Sequence, residues 1–341
     1  MKLSLILITV TSLYATPLTH KIALKTIEFA PPERSVPFTG FYRLKKQSSL
    51  FFKDLGAKYI TEEESGFSGL YLASNSVRQN SGKTFGKWRE ILKDPRNTKL
   101  IELFEANLAS SNLAGLFSFP KQVHFLKDAK KKTVILFVDY TIPLTMQVRE
   151  ILNFSLRGFN VLAVDFFDYN NGETFVSWDR CQKIADCAFK YCSGSIIVYG
   201  KSFGSAAATY LAKKHPSCPL ILDRPFTCMN EAIGSFLLDS FIKSHYSYPT
   251  KDLICGLTKD PLIISSIKSG MFKDHADKLL NAYISAQKKR EQDVQKEKCF
   301  ISTWGGHYSS LLNKGESSWF SYEEAQRKVN NYIFSLENTD L

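Results

Sequence analysis

The sequence predicts an α/β protein with a mainly parallel central sheet and helices on both faces. Three observations predict it. Apolar runs begin at residues 133, 160, 195, 220, 262 and 299, a spacing that fits strand-helix-strand crossovers. The runs are predominantly apolar, as strands buried on both faces are, in place of the strict alternation of a half-exposed strand. Finally, the run Ser195 to Tyr199 passes through Gly200-Lys201-Ser202-Phe203-Gly204 into a small-residue stretch, Ser205 to Ala212, that reads as a helix.

The chain begins differently. Met1-Lys2, an apolar stretch from Leu3 to Tyr14 and the small Ala15 read as a secretory signal over residues 1–15. The stretch is too short to span a bilayer comfortably, so the expectation is an exported or membrane-associated protein. Residues 16–132 form an N-terminal region with early strands and a helical insertion. Within it, Ala30-Pro31-Pro32-Glu33-Arg34 reads as an extended linker, and Gly69 to Ser74 as a half-buried strand. The Ser, Asn and Gly of Ser76 to Lys83 predict a loop, and helical spacing of apolar residues returns from Trp88 to Leu108. Residues 133–341 carry the strand pattern and form the core. Their segment 225–259 has no clear strand and is rich in Phe, Leu, Ile and Tyr, which predicts a cap over the carboxyl edge of the sheet.

Composition narrows the function. A chain of 341 residues, 44% hydrophobic, can bury a substantial core. Its net charge of +11 suits an anionic membrane surface or an acidic ligand. No zinc spacing, helix-turn-helix cue or aromatic RNA-binding pattern accompanies that charge, so nucleic acid is not an expected partner. The seven cysteines are odd in number and contain no C-x-x-C pair, which describes neither a disulfide framework nor a metal site. No G-x-G-x-x-G or G-x-x-x-x-G-K-[ST] follows a strand, so no nucleotide cofactor is predicted.

The chemistry centres on Ser202. A strand that reverses within two residues into a helix leaves its apex side chain strained and presented, which is the G-x-S-x-G elbow. Gly200 and Gly204 suit it because a Cβ at either position would press on a neighbouring strand or on the following helix. The plain alternative is a tight turn whose serine only caps the helix. A serine hydroxyl needs a base, and of six histidines only His307 follows the last strand, in Trp304-Gly305-Gly306-His307-Tyr308. Reacting groups in such sheets lie beyond the carboxyl ends of the strands, where Ser202, Asp165, Asp223 and the residues after Thr303 all fall.

On Gly200-Lys201-Ser202-Phe203-Gly204, Leu222-Asp223-Arg224-Pro225-Phe226-Thr227 and Gly305-Gly306-His307, the chain from about Gly69 to its end resembles the α/β-hydrolase superfamily. The signal-like start and helical front insertion resemble most the chlamydial CHLPS and Legionella SidB-type proteins. The superfamily resemblance implies hydrolysis of an ester, thioester or lipid acyl group, with Ser202 as nucleophile, His307 as base and no cofactor. Two departures stand out. Where relatives carry His-Gly after the third strand, this chain has Val138-Asp139-Tyr140, leaving the backbone N–H groups of Phe203 and Tyr140 as the oxyanion donors. After the seventh strand, Ile267-Lys268-Ser269-Gly270-Met271 offers no carboxylate. Asp223, at the end of the preceding run, is then the assigned acid; Asp274 is the alternative, and Asp223 could equally be structural, paired with Arg224. The rival to a serine hydrolase is a non-catalytic protein of the same fold that binds a membrane or a protein partner.

Overall fold

The computed structural model describes residues 49–93, 129–138, 144, 148–166, 176–229, 231, 247–268, 274–306 and 327–333. Its strands are β1 (Lys58–Ile60), β2 (Ser68–Leu72), β3 (Lys132–Phe137), β4 (Asn160–Asp165), β5 (Ser195–Lys201), β6 (Leu220–Asp223), β7 (Leu262–Lys268) and β8 (Phe300–Gly306). The helices are α1 (Glu62–Ser65), α2 (Ser74–Lys93), α3 (Val148–Ser155), α4 (Trp178–Tyr191), α5 (Gly204–Lys214), α6 (Thr250–Ile254), α7 (His275–Lys288) and α8 (Lys296–Cys299). Every predicted run of the second half is a strand at the expected place. The signal-like segment 1–15, the linker 30–34, the insertion beyond residue 93 and the cap residues 232–246 lie outside the described residues.

The strands form one eight-stranded sheet in the order β1-β2-β4-β3-β5-β6-β7-β8. Only β2 runs against its neighbours, pairing antiparallel with β1 and β4; all other pairings are parallel. The chain steps from β3 outward to β4, returns past β3 to β5, and then advances strand by strand to β8. With right-handed crossovers, that reversal places α3 on one face and α4, α5 and α7 on the other.

Two cores result, one on each face. The first joins Ile135, Phe137, Leu162, Val164 and Val198 of the sheet to Ile184 of α4, Ala206 and Leu211 of α5, and Leu279 of α7. The second joins Val134, Leu136, Val161, Ile197 and Tyr199 to Ile151 and Phe154 of α3. Because α3 is short, other elements complete that cover: Phe51, Phe52 and Leu55, then Val77, Phe85 and Trp88 of α2, and Val329 and Ile333 near the end of the chain.

Helix α2 corrects one expectation. Residues 76–83, predicted as a loop from their Ser, Asn and Gly, lie inside this 20-residue helix. The reason is tertiary: Val77, Thr84, Phe85 and Trp88 are buried and lie on one helical stripe. The Phe51 ring meets those of Phe85 and Trp88 edge to face at 5.7 and 5.8 Å. Trp88 Nε1 donates to the Asp54 carboxylate at 3.0 Å, and Thr84 Oγ1 to the Asp54 carbonyl, also at 3.0 Å. Such packing outweighs a propensity deficit of a few tenths of a kcal/mol per residue. In the cap, Tyr248 is fully buried, its ring 5.6 Å from that of Trp178 and its hydroxyl bonded to the Val176 carbonyl, so it belongs to the core. The seven cysteines form no disulfide. Among the described residues no helix is long and apolar enough to cross a membrane.

The helical state of residues 76–83 is testable at Gly82, which is exposed and where an added Cβ would meet nothing within 4 Å. Gly82→Ala should stabilise the protein by about 0.5–1 kcal/mol, because alanine loses less backbone entropy in a helix. A urea midpoint that falls would contradict the helix.

Candidate active site

Strand β5 alternates Ile197, Tyr199 and Lys201 toward α3, and Ile196, Val198 and Gly200 toward α5. Immediately beyond it, Ser202 takes a φ of 50°, the left-handed region that costs a residue with a Cβ about 1–3 kcal/mol. The turn is held from three sides. Ser202 N–H donates to the carbonyl of Asp223 at 3.1 Å, and the Ser202 carbonyl accepts from Ser205 N–H at 3.0 Å. The glycines allow the close approach: a Cβ on Gly204 would stand 2.0 Å from the Phe137 carbonyl oxygen of β3, and one on Gly200 2.6 Å from Cβ of Ala208 in α5. Both faults predicted for larger residues are therefore real, against the strand for Gly204 and against the helix for Gly200.

Ser202 is 2% exposed and sits at the carboxyl edge of the sheet, two residues before α5 begins at Gly204. The Phe203 main chain therefore lies at the positive end of that helix, where an N–H can meet developing negative charge. The Phe203 ring meets Phe226 edge to face at 4.9 Å, which ties the elbow to the chain beyond β6.

Of the residues assigned from sequence, the structure brings Asp223 to the elbow. It ends β6, paired in register with Lys201. Its carboxylate is 1% exposed and already engaged: Tyr199 donates its hydroxyl to Oδ2 at 2.6 Å, and Arg224 Nη1 lies 2.8 and 3.0 Å from the two oxygens. Asp274 caps the start of α7 without a side-chain capping bond and is exposed. His307 and Tyr140 lie outside the described residues, although β8 delivers the chain to Gly306, the residue before His307.

Sequence reasoning missed the buried polar groups around Asp223. Lys201, inside the glycine-serine motif, forms a salt bridge with Glu150 in the first turn of α3, and both side chains are nearly buried. Losing either partner would strand a buried charge, at a cost of about 3–5 kcal/mol. Burial, with the charges of Asp223 and Glu150, holds the Tyr199 hydroxyl well above its ordinary pKa, so it remains a donor. Arg224 is also left-handed, with a φ of 47°. The period-two alternation of Ile197, Tyr199 and Lys201 was the available signal, because it turns Lys201 toward a core where a charge requires a partner. Among the described residues no group of His, Cys, Asp and Glu could hold a metal ion.

An eight-stranded, mainly parallel sheet with a strained serine between strand and helix at its carboxyl edge defines an α/β-hydrolase fold. No protein-family model and no curated protein matches the chain. Solved structures similar to it include the esterase Pf2001 of Pyrococcus furiosus, at 18% identity over 60% of this chain and 80% of that one, with a TM-score of 0.43. An alpha-beta hydrolase of Vibrio vulnificus matches at 18% identity over 59% and 73%, with a TM-score of 0.40. MenH of S. aureus matches at 12% over 61% and 94%, with a TM-score of 0.37. Likenesses this distant carry nothing about substrate, and the fold assignment rests on strand order and register.

Among the described residues, one histidine stands at the same edge. His275, the first residue of α7, is buried, and its Nδ1 accepts the Thr227 N–H at 3.1 Å, with Thr227 Oγ1 2.9 Å away. Because a backbone amide can only donate, Nδ1 carries no proton and the ring is neutral. Burial, then the Lys278 charge, pulls its pKa below the usual imidazole value, against smaller opposing effects of Glu231 and Asp274. On acidification the unfolded chain takes up this proton before the folded one does. Stability should therefore fall as the pH drops below about 6.5, the ordinary histidine value. Urea midpoints measured between pH 8 and 5 should slope less in His275→Gln than in the wild type; equal slopes would remove His275 from the account.

Proposed function

We propose that this protein is a serine hydrolase that cleaves an ester, thioester or lipid acyl group. The observation that carries the reading is Ser202 itself, a residue with a Cβ held at a φ of 50° between two glycines that admit no larger side chain. Strain of this kind persists where the surrounding structure over-determines it, and such residues cluster at working sites. A serine that only capped a helix would need no left-handed apex, since capping residues adopt extended backbone.

In this reading Ser202 Oγ attacks the acyl carbon while His307 takes its proton. The oxyanion is held by Phe203 N–H, at the start of α5, and by Tyr140 N–H. His307 then returns the proton to the leaving alcohol or thiol, and water, activated by the same imidazole, releases the acid and restores Ser202. For the carboxylate that orients the ring, the sequence left Asp223 and Asp274. The carboxylate of Asp223 is already engaged by two neighbours, whereas that of Asp274 is exposed at a loop-to-helix boundary. The signal-like segment 1–15 and the charge of +11 support an exported or membrane-associated setting, with an anionic membrane surface beside the acyl substrate as a partner. The resemblance to the chlamydial and Legionella proteins rests on the signal-like start and the helical front insertion read from the sequence.

A fluorophosphonate probe tests the reading directly. Wild-type protein should be labelled covalently on Ser202 and Ser202→Ala should not, while His307→Gln should react more slowly by several powers of ten. A folded wild-type protein that stays unlabelled would favour the non-catalytic binding reading.

A further inference from the structure

The carboxyl ends of β5 and β6 carry two left-handed residues side by side, Ser202 and Arg224, and Asp223 joins them. The Asp223 carbonyl accepts the Ser202 N–H, and the next residue, Arg224, donates its own N–H to the Ile264 carbonyl of β7 at 2.8 Å. The elbow and the β6 turn thus repeat one arrangement on adjacent strands, and the backbone of Asp223 belongs to both. Its side chain is fixed independently of the backbone. Tyr199 approaches from β5, its ring packed 5.3 Å from Phe154 of α3, and Arg224 closes over both carboxylate oxygens. The Arg224 guanidinium is itself 1% exposed, and its Nε has no hydrogen-bond partner among the described residues, so Asp223 supplies the charge compensation seen there.

We infer that Asp223 is a positioning residue: locked by Tyr199 and Arg224, its carboxylate fixes the main chain that sets the angle of the Ser202 elbow, and it is not the acid behind the catalytic histidine. The inference deepens the serine-hydrolase reading and rests on it. It follows from where the carboxylate is committed. An acid that orients an imidazole must offer it an oxygen across the edge of the sheet; Asp223 spends three contacts on the α3 side and on its own neighbour. Arg224 cannot release it cheaply, because a buried guanidinium without a counter-charge is strongly unfavourable.

The two roles separate by rescue. Asp223→Asn alone leaves Arg224 uncompensated, so its thermal midpoint should fall and fluorophosphonate labelling of Ser202 should slow by about ten- to a hundredfold. The double variant Asp223→Asn/Arg224→Gln removes both charges and should recover the midpoint and a labelling rate within about tenfold of the wild type. In both proteins the acid limb of the rate against pH should stay where the wild type has it. A triad acid would behave otherwise. Its loss is not repaired by removing Arg224, the rate stays down by roughly ten-thousandfold, and the limb moves to lower pH as the imidazole loses its counter-charge; that result would overturn the inference. If Asp223→Asn does not fold, Tyr199→Phe removes one hydrogen bond and keeps the ring. It should slow labelling with the pH limb unmoved, and a wild-type rate would overturn the inference. A wild-type protein that does not react at all sinks the serine reading by that result alone. The thermal midpoints then decide the clamp, since purely additive effects of Asp223→Asn and Arg224→Gln would exclude it.

Discussion

Helix α5 starts in contact with backbone, and that contact governs the site. Gly204 lies so near the Phe137 carbonyl of β3 that no side chain fits between them. Gly200 is pressed by the helix on the other side of the turn, where an added Cβ would stand 2.6 Å from that of Ala208. With both approaches fixed, the chain has two residues in which to leave β5 and enter α5, and Ser202 takes up the left-handed conformation that this requires. The strain at Ser202 is thus a consequence of packing between the strand pair β3 and β5 and the helix above them. It is offset by an entire core on that face.

The opposite face solves a different problem. Because the chain reverses direction at β3, only α3 among the described crossover helices covers that side. The remaining cover comes from residues 51–55, from α2 and from residues 329–333, elements distant in sequence from the strands that they protect. The polar groups beneath the elbow, Glu150, Lys201, Asp223, Arg224 and Tyr199, lie toward this face, at the rim where the cover of α3 begins. Their charges close in pairs, Lys201 on Glu150 and Arg224 on Asp223, which is the condition for ionised groups to remain buried.

How much of this was legible follows from where each residue spends its side chain. Strands β3 to β8 were readable because strands covered on both faces are mainly apolar along their length, and these runs are short, β-branched and spaced for crossovers. The elbow was readable because its glycines answer a local steric demand, and the motif states that demand within five residues. The first part of helix α2, before Trp88, was not readable, since its polar positions face solvent and its buried stripe acquires meaning only when Phe51 and Asp54 arrive from another element. Strand β1, three residues long with one of them buried, had too little pattern to detect. For Asp223 the sequence offered two roles from the same letters, a free acid or a partner of Arg224, and only the positions of Tyr199 and Arg224 distinguish what holds it.

The presence of arginine at position 224 bears on why the polar groups exist. A left-handed turn at the end of β6 would be met most cheaply by glycine, which carries no penalty at a φ of 47°. Arginine there costs the conformational strain and, in addition, the desolvation of a guanidinium that is 1% exposed. A replacement of the pair by well-packed apolar residues would often be neutral or stabilising in a generic core, so stability alone gives no reason for this choice. What the ion pair supplies is directionality: a carboxylate gripped by a planar guanidinium and a phenol has one orientation, and through it the carbonyl that receives the Ser202 N–H has one position. For the role proposed for Ser202, holding the serine to within about 0.5 Å is a requirement that apolar packing meets poorly and charge-assisted hydrogen bonds meet well. The strain at Ser202 and the strain at Arg224 are in this sense a single arrangement, one presenting the hydroxyl and the other holding the backbone from which it is presented.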